Sequence, residues 1–389
     1  MMFSDATPST IIPEQLYLEI PQSSPQRLQN QPFSTPGVRW RAYLNQMCLE
    51  AFVPWLQEEQ DSNARVWTHQ AALPSFWEFV NGTAINCDNM RLVLIPTTEI
   101  DRQELRVPQE WVDIPSWIAD YYLAVQVDPN AGWVTVWGYT THYQLKAKGV
   151  YDAGDRTYSL DEEELIGDIN VLWIARHLCP DEPLRAEVAP IPALPKAQAE
   201  NLLERLGNPT VIFPRLTVPF QLWAALLEHR GWRQRLYEQR QGLSEQWSIP
   251  QWLQAGVSNM AQQLGWGTTP LQLAPRGVRS REAAASSIGL SRQLAIAGNP
   301  YELRVFPRGN LSDRIWRFEL RSTDPNSMIP VGFTLRLLTE DLQPFVNNED
   351  TATSAIAELY IDVVLEPGEG LVWEIEPTPD GCDREILRF

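Results

Sequence analysis

The sequence has few of the residues that bind metals or form disulfides. Only four histidines and four cysteines occur in 389 residues, and the cysteines are Cys48, Cys87, Cys179 and Cys382. No two of them form a C-x-x-C pair, which predicts free, buried thiols in a reducing compartment and argues against a disulfide framework or a zinc knuckle. The nearest mixed pair, His177 and Cys179, has a spacing at a helix end that is poor for joint coordination. We therefore predict no metal and no cofactor.

Long apolar runs and a signal peptide are also absent. No apolar stretch reaches the roughly 18 to 20 residues that cross a bilayer. The start, MMFSDATPSTIIPEQ, has neither the basic end nor the apolar core of a secretory signal. Both observations predict a cytoplasmic protein without a membrane partner. The net charge of -18 repels phosphate backbones, so nucleic acid is an unfavourable partner.

The motifs of several common enzyme classes are missing as well. The sequence contains no H-E-x-x-H, no G-x-S-x-G, no G-x-x-x-x-G-K-[ST] and no G-x-G-x-x-G. The absence of these motifs argues against a zinc protease, a nucleophile-elbow hydrolase, a P-loop protein and a dinucleotide-binding protein. No nucleophile, base and metal ligands come together in the sequence, so we identify no catalytic residue and favour a protein that is not an enzyme.

The sequence does contain a regular order of helical and strand patterns, which predicts an α+β fold. From residue 290 onward, six short alternating runs are separated by turn sequences, as in an antiparallel β-sandwich or barrel. Five prolines in PDEPLRAEVAPIPALPKA indicate a stiff linker. The predicted organisation is an N-terminal mixed β-sheet domain with packed helices (1–179), a Pro-rich linker (180–197), a helical segment (198–265), a loose connector (266–289) and a C-terminal all-β domain (290–389).

Two helices of the first domain have specific signals. Apolar residues recur at helical spacing in VRWRAYLNQMCLEAFVPWLQEEQ, and Pro54 within this run is expected to kink or restart the helix. Ser159 and Glu162 have the spacing of a capping box before DEEELIGDINVLWIARHL. The sixteen tryptophans are expected to fill the cores.

Two segments, YLAVQVDPNAGWVTVW and YIDVVLEPGEGLVWEI, share a tyrosine, an acidic residue, Pro-x-x-Gly and a tryptophan-containing strand. We expect a hairpin turn in each, with proline setting φ and the last glycine in the left-handed position. The turn residues are Asp128, Pro129 and Gly132 in the first segment and Glu366, Pro367 and Gly370 in the second. A ligand-cradling role for EPGEG is disfavoured, because neither a helix N-terminus nor a lysine follows the glycines. An internal duplication stays open.

Two acidic clusters are candidate sites. One contains Glu340, Asp341, Glu349 and Asp350, and the other is Asp161 to Glu164 in SLDEEEL. Glu340 and Asp350 are a candidate pair for acid–base chemistry or calcium binding, but their cluster lacks the glycine and the spacing of a calcium loop. Solvated loop charge and recruitment of a basic partner are the two other interpretations.

One segment, EHRGWRQRLYEQRQ, is locally basic. Its candidate partner-binding residues are Arg230, Trp232, Arg233, Arg235 and Tyr237, with Arg240 at the end. Arginines interleaved with aromatic residues bind nucleic acid or acidic protein surfaces. On an acidic protein they also pair with carboxylates of the same chain, so intramolecular pairing, a protein partner and nucleic acid all stay open.

Long stretches of the chain resemble a known family. They are RWRAYLNQMCLEAFVPWLQEE and WEFVNGTAIN with RLVLIP near the start, and QLAIAGNPYELRVFPRG, WRFELRS, IPVGFTLRLLTEDLQPFVNNEDTAT and LYIDVVLEPGEGLVWEIEPTPDGCDREILRF near the end. Together they cover most of the chain outside the two linkers and resemble the cyanobacterial family called domain of unknown function eighteen-twenty-two. The resemblance implies a cytoplasmic cyanobacterial protein linked to signalling or sigma-factor regulation. It transfers no catalytic residue.

These observations lead us to expect a non-enzymatic adaptor or regulatory protein that binds another protein. The first alternative, a carboxylate-dependent hydrolase, requires Glu340 and Asp350 to converge in one pocket with shifted pKa values. The second, a transcription regulator, requires Arg230, Arg233 and Arg235 to lie on one exposed face. An adaptor instead requires an exposed apolar patch with charged residues around it.

Overall fold

The computed structural model describes residues 15–21, 31–179, 181–243, 247–271, 287–309, 313–324, 326–380 and 385–389. The fold is mixed α+β, with 31% helix and 33% strand, which confirms the predicted class. The chain forms two compact units, each discontinuous in sequence. Unit 1 comprises Met1–Pro192 and Pro209–Glu228, and unit 2 comprises Ala193–Asn208 and His229–Phe389.

The helices of the described residues follow in chain order. They are α1 (Pro36–Glu59), α2 (Leu73–Trp77), α3 (Gln109–Asp113), α4 (His142–Lys148), α5 (Ile169–Leu178), α6 (Lys196–Gly207), α7 (Phe220–Glu228), α8 (Arg230–Gln241), α9 (Ile249–Ala255) and α10 (Asn259–Gln263). Single 3-10 turns lie at Gln70–Ala72, Glu162–Glu164 and Pro214–Leu216. Helices α6 and α8 to α10 belong to unit 2, so most of the segment predicted to be helical lies there.

The strands are divided between the two units. Those of unit 1 are β1 (Leu16–Glu19), β2 (Arg65–Val66), β3 (Thr83–Cys87), β4 (Met90–Thr97), β5 (Glu104–Pro108), β6 (Tyr121–Asp128), β7 (Trp133–Thr141), β8 (Val150–Asp152) and β9 (Thr157–Asp161). Those of unit 2 are β10 (Trp266–Leu271), β11 (Ser287–Ile296), β12 (Asn299–Pro307), β13 (Ile315–Ser322), β14 (Thr334–Thr339), β15 (Glu349–Thr351), β16 (Glu358–Val364), β17 (Gly370–Glu376) and β18 (Ile386–Arg388).

The main sheet of unit 1 has six strands in the order β1-β7-β6-β4-β3-β2. Neighbouring strands are antiparallel except for β4 and β6, which are parallel. Helix α1 contributes Met47, Cys48 and Phe52 to a core that also contains Leu92 and Leu123 of the sheet. A second sheet has the order β5-β9-β8. Most of the sixteen tryptophans are buried in the two units, as expected of core residues.

Helix α1 begins at a side-chain cap and runs through its internal proline. The hydroxyl of Thr35 accepts a hydrogen bond from the backbone N–H of Val38 at 3.2 Å, which satisfies one donor of the first turn. Pro54 does not restart the helix, which is continuous to Glu59. Contacts of this helix with the sheet outweigh the missing proline N–H.

The capping box predicted at Ser159 and Glu162 is wrong. Ser159 lies in β9 and pairs with Arg106 of β5, so its backbone is extended. Helix α5 starts ten residues later, at Ile169, where the Asp168 side chain accepts the Asn170 N–H at 2.8 Å. Sheet pairing between distant strands overrides the local capping signal.

Unit 2 contains two antiparallel sheets, ordered β10-β11-β12-β13-β16 and β15-β14-β17-β18. The six predicted strands occur as β11 to β14, β16 and β17. Phe389, which follows β18, contacts Trp316 and Phe318 of β13 with ring centroids 4.9 and 5.9 Å apart. In the predicted loose connector, residues 266–271 form β10 and pair with β11, whereas residues 272–286 lie outside the described residues.

The first Pro-x-x-Gly segment is a hairpin turn between neighbouring strands β6 and β7. The N–H of Gly132 donates to the carbonyl of Asp128 at 2.9 Å, and Gly132 has a φ of +79°. The Asp128 carboxylate also accepts the N–H groups of Asn130 and Ala131 at 3.0 and 2.9 Å. A left-handed glycine and an aspartate that caps its own turn close this connection.

The second segment, EPGEG, is a turn but not a hairpin. It connects β16 of one sheet to β17 of the other, and these strands do not pair. The left-handed glycine is Gly368, with a φ of +82°, while Gly370 is the first residue of β17. The predicted hairpin and the predicted role of Gly370 are therefore wrong. The different strand connections also argue against an internal duplication, because the shared spacing has no shared topology.

Candidate functional site

Helix α8 carries the predicted basic and aromatic residues, and most of them are buried. The buried ones are Arg230, Trp232, Arg233, Tyr237 and Arg240, none more than 7% exposed. The reason is close packing within unit 2: a Cβ atom on Gly231 would lie 2.2 Å from Cγ1 of Ile386. The exposed arginine face that a transcription regulator requires is therefore not formed by Arg230 and Arg233. Intramolecular pairing, the first of the three open interpretations, fits this placement.

The centre of this region is Glu340, which joins α8 to strand β18. Its Oε1 accepts hydrogen bonds from Nη2 of Arg388 at 2.5 Å and from Nε1 of Trp232 at 3.2 Å. Arg235 Nη1 lies 3.7 Å from the same oxygen, and Lys196 Nζ lies 3.4 Å from Oε2. Three cations thus surround one carboxylate whose side chain is completely buried.

The charge of Glu340 is stabilised by these neighbours. Burial by itself would raise the pKa of this carboxyl, but Arg388, Lys196 and Arg235 outweigh burial and hold the pKa below its ordinary value. The carboxylate also explains the last glycine of EPGEG, since a Cβ on Gly370 would lie 2.9 Å from Glu340 Oε2. Glu340 therefore has the contacts of a structural ion pair.

The other acidic residues of the same cluster lie in different surroundings. The Asp341 carboxylate accepts the hydroxyl of Thr339 at 2.7 Å, and Glu349 pairs with Arg336 at 3.0 Å. The Asp350 carboxylate accepts the backbone N–H of Tyr360 at 2.9 Å. None of these contacts brings the acidic residues of this cluster together.

Glu340 and Asp350 are too far apart for a catalytic pair. Asp350 is opposite Leu335 in the β14–β15 ladder, and Glu340 follows five residues after Leu335, a distance of about 16 Å along an extended chain. The paired carboxylates of glycoside hydrolases, for comparison, are about 5 to 9.5 Å apart. The convergence that the hydrolase hypothesis requires is absent for this pair.

A different feature, not identified from the sequence, lies on helix α5 of unit 1. One side of this helix, with Ile169 and Leu172, is buried in the core. On the other side, Val171, Ile174 and Leu178 follow one another at helical spacing and are exposed, Ile174 by 57% and Leu178 by 70%. These three residues form one apolar stripe in contact with solvent. Together with exposed Ile166, which precedes the helix, we call them the α5 surface.

An acidic turn precedes the α5 surface. Asp161, Glu162, Glu163 and Glu164 are all exposed, and they occupy the end of β9 and the 3-10 turn that leads towards the helix. Glu164 pairs with Lys148 of α4. Exposed apolar residues beside a run of carboxylates are complementary to a partner that is both apolar and basic.

Comparison with protein families assigns the chain to one family. The family model described as "Protein of unknown function (DUF1822)" matches residues 18–388. The chain belongs to this family. No curated protein and no solved structure matches the chain. The DUF1822 match includes both the α5 surface and the Glu340 network.

Within the described part of this DUF1822 chain, no three or more His, Cys, Asp or Glu side chains are grouped so that they would hold a metal ion. Among the same residues, no helix is long and apolar enough to cross a membrane. Cys48 and Cys87 are buried free thiols, as expected, whereas Cys179 is exposed, and Cys382 lies outside the described residues.

Unit 1 also contains a buried ion pair that the sequence did not indicate. Glu110 of α3 accepts two hydrogen bonds from Arg215, at 2.9 and 2.6 Å, and one from Nε1 of Trp223 at 2.8 Å. Arg215 also donates to the carbonyl of Asp155 at 2.6 Å. The hydrogen-bonded partners are 60 to 113 positions apart along the chain and no local motif relates them, so only the folded chain reveals the pair.

Proposed function

We propose that this DUF1822 protein is a non-enzymatic, cytoplasmic adaptor or regulatory protein that binds another protein through the α5 surface. The observation that carries the proposal is the exposed apolar stripe of α5, which follows the exposed acidic turn 161–164 in the chain. The partner that fits is an amphipathic segment with apolar residues on one face and lysines or arginines beside them. A role in signalling or sigma-factor regulation, and a cyanobacterial host, form part of the same proposal.

The expected energy of the contact follows from the exposed fractions. Complete burial of an isoleucine or leucine side chain contributes about 1.5 to 3 kcal/mol. Ile174 and Leu178 are 57% and 70% exposed, so a partner that covers them gains about 1 to 2 kcal/mol from each. Carboxylates beside this stripe add association rate and salt dependence more than affinity.

The test starts with a tagged chain in a cyanobacterial host. Proteins that co-purify are identified by mass spectrometry, and each is then purified and titrated calorimetrically against the wild type and Ile174→Asp. We expect Ile174→Asp to weaken binding at least about tenfold, since 1.4 kcal/mol is a factor of ten. Reversing Glu162 and Glu163 to lysine is expected to slow association and reduce its salt dependence.

A matched control keeps the test specific. Ile100 is 89% exposed and lies outside α5, so Ile100→Asp is expected to leave binding unchanged. Equal losses in the two variants would reject the α5 surface. A wild-type dimer that Ile174→Asp converts to monomer would assign the surface to a second copy of the chain and reject the adaptor proposal.

A further inference from the structure

Residues 181–192 lie against unit 1 as a surface segment without helix or strand, and we call them the strap. The strap follows α5 in the chain and precedes α6 of unit 2. Most of its side chains are exposed, but Leu184 packs against the core cluster that contains Leu92 and Leu123. A segment outside the helices and sheets stays in place only through its own few contacts, so the loss of one contact has a large effect on it.

The first turn of α4 holds the strap by two hydrogen bonds to its backbone. The N–H of Tyr143 donates to the carbonyl of Leu184 at 2.9 Å. The N–H of Ala186 donates to Nδ1 of His142 at 3.0 Å. The acceptor in the second bond is an imidazole nitrogen, which accepts only while it carries no proton.

The other ring nitrogen fixes the tautomer of His142. Its Nε2 lies 2.9 Å from the backbone carbonyl of Val112, and the side chain is completely buried. A carbonyl oxygen can only accept, so Nε2 carries the proton and Nδ1 has the lone pair. A second proton, on Nδ1, would point at the N–H of Ala186 and leave two donors facing each other. The strap is thus bound by the neutral imidazole and not by the imidazolium ion.

The surroundings of the imidazole oppose its protonation. Burial has the largest effect and lowers the pKa of His142 below its ordinary value of 6.5. The Val112 carbonyl and Asp113 of α3 favour the charged form, whereas Lys146 of α4 and Arg185 of the strap disfavour it. The balance keeps the closed strap in contact with a neutral ring at neutral pH.

The remaining groups around this contact are an ion pair and a phenol. Arg185 donates to both carboxylate oxygens of Asp120, at 2.8 Å each, and the ring of Tyr122 has its centroid 6.2 Å from that of the imidazole. Guanidinium, carboxylate and phenol groups ordinarily do not titrate between about pH 5 and 7. Among these groups, the imidazole of His142 is therefore the one that responds to pH in this range.

We propose that acidification releases the strap: a proton on Nδ1 of His142 breaks the hydrogen bond from Ala186, and the segment detaches and uncovers the apolar surface around Leu184. Release gives the imidazole access to water, so its pKa returns towards 6.5 and the released form binds the proton more tightly than the closed form. The closed form is fully favoured above about pH 6.5. Below it, the ratio of released to closed strap rises by up to about tenfold per pH unit, until the lowered pKa of the closed form is reached.

Hydrogen exchange of the full-length protein, read by mass spectrometry and divided by the intrinsic rate at each pH, measures the release. We expect protection of the Ala186 N–H to fall about three- to tenfold between about pH 7.5 and about pH 5.5. Peptides from β6 should stay protected, which separates local release from unfolding of unit 1. Long-range nitrogen NMR of histidine-labelled protein should show the Nε2–H tautomer of His142 at about pH 7.5.

Three variants locate the effect. His142→Asn cannot take up the proton but keeps an oxygen acceptor near the position of Nδ1, so protection should change less than about twofold over the same range. His177→Asn, at an exposed histidine of α5, is the matched control and should keep the wild-type pH dependence. Arg185→Ala should lower protection about two- to fivefold at every pH without removing the dependence, since its ion pair with Asp120 is partly exposed.

The proposal is rejected by any of three results. These are constant protection of Ala186 in the wild type, the wild-type pH dependence in a folded His142→Asn variant, or joint loss of protection in the strap and β6. If circular dichroism shows that His142→Asn is unfolded, the wild-type NMR titration decides, because protonation of Nδ1 must follow the same pH curve as the loss of protection.

Discussion

Removal of the Glu110 carboxylate is the sharpest test of what holds unit 1 together. Glu110 is completely buried, and its oxygens accept hydrogen bonds from Arg215 and Trp223. Glu110→Ala leaves the Arg215 guanidinium, only 17% exposed, without its main counter-charge. It also leaves the buried indole N–H of Trp223 without its acceptor.

The expected cost follows from these two losses. Removing one partner of a buried ion pair costs about 3 to 5 kcal/mol, because the remaining charge stays buried without compensation. An orphaned hydrogen-bond donor alone costs about 1 to 3 kcal/mol, but the two losses share the same carboxylate and are not additive. We therefore expect Glu110→Ala to lower the free energy of unfolding by about 3 to 5 kcal/mol in total.

The assay is a double-mutant cycle with Glu110→Ala, Arg215→Ala and the combination, measured by urea unfolding. Hydrogen exchange of peptides from α7, read by mass spectrometry, reports unit 1 separately. We expect the double variant to cost at least about 2 kcal/mol less than the sum of the single variants. Arg106→Ala is the control: Arg106 is 43% exposed and pairs on the surface, so its loss should cost less than about 1 kcal/mol.

Two results would refute this reasoning. One is a cost of Glu110→Ala no larger than that of Arg106→Ala. The other is strict additivity in the cycle, which would show that Glu110 and Arg215 contribute independently despite their contact.

Further predictions concern the Glu340 network of unit 2. The pKa of Glu340 is lower in the folded chain than the ordinary value of 4.5. The ionised Glu340 carboxylate therefore contributes its full stabilisation above pH 4.5, and this stabilisation is lost as the pH falls through the lowered pKa of the folded chain. The difference in urea midpoint between wild type and Glu340→Gln should shrink from pH 6 to pH 3, and a constant difference would contradict the proposed charge state. Gly370→Ala places a Cβ 2.9 Å from both Glu340 Oε2 and Ile386 Cγ2 and should cost about 1 to 3 kcal/mol by overpacking. Gly267→Ala, with no heavy atom within 4 Å of the added Cβ, is the matched control in a strand of the same unit, and similar unfolding midpoints for the two glycine variants would disprove the close contact.

Several elements were predictable because their signals are local. Apolar spacing in residues 38–60 corresponds to α1, and alternation from residue 291 onward corresponds to strands of unit 2. The Asp128 turn was recognisable because its proline, aspartate and glycine act within five residues of one another. Such features depend on backbone preference and on neighbours that are close along the chain.

The candidate site was less predictable because residue types do not indicate which side of a helix faces the core and which side faces solvent. Arg230 and Trp232 have the residue types of a binding surface, yet packing against Ile386 and pairing with Glu340 place this side of α8 inside unit 2. Conversely, Ile174 has the residue type of a core position and is exposed. The helical spacing of Val171, Ile174 and Leu178 was visible in the sequence. The buried side of the same helix is equally apolar, so the sequence did not indicate which of the two sides is exposed.

The sequence by itself determined the α+β class, the helical and strand character of long segments and the absence of the common enzyme motifs, since these follow from periodicity and residue type. Only the tertiary structure decided that EPGEG joins two sheets, that Glu340 is buried among cations and that α5 presents an apolar side to solvent. The physical reason is that strand partners, burial and ion pairs depend on residues tens to hundreds of positions apart, whose meeting is determined by packing of the whole unit.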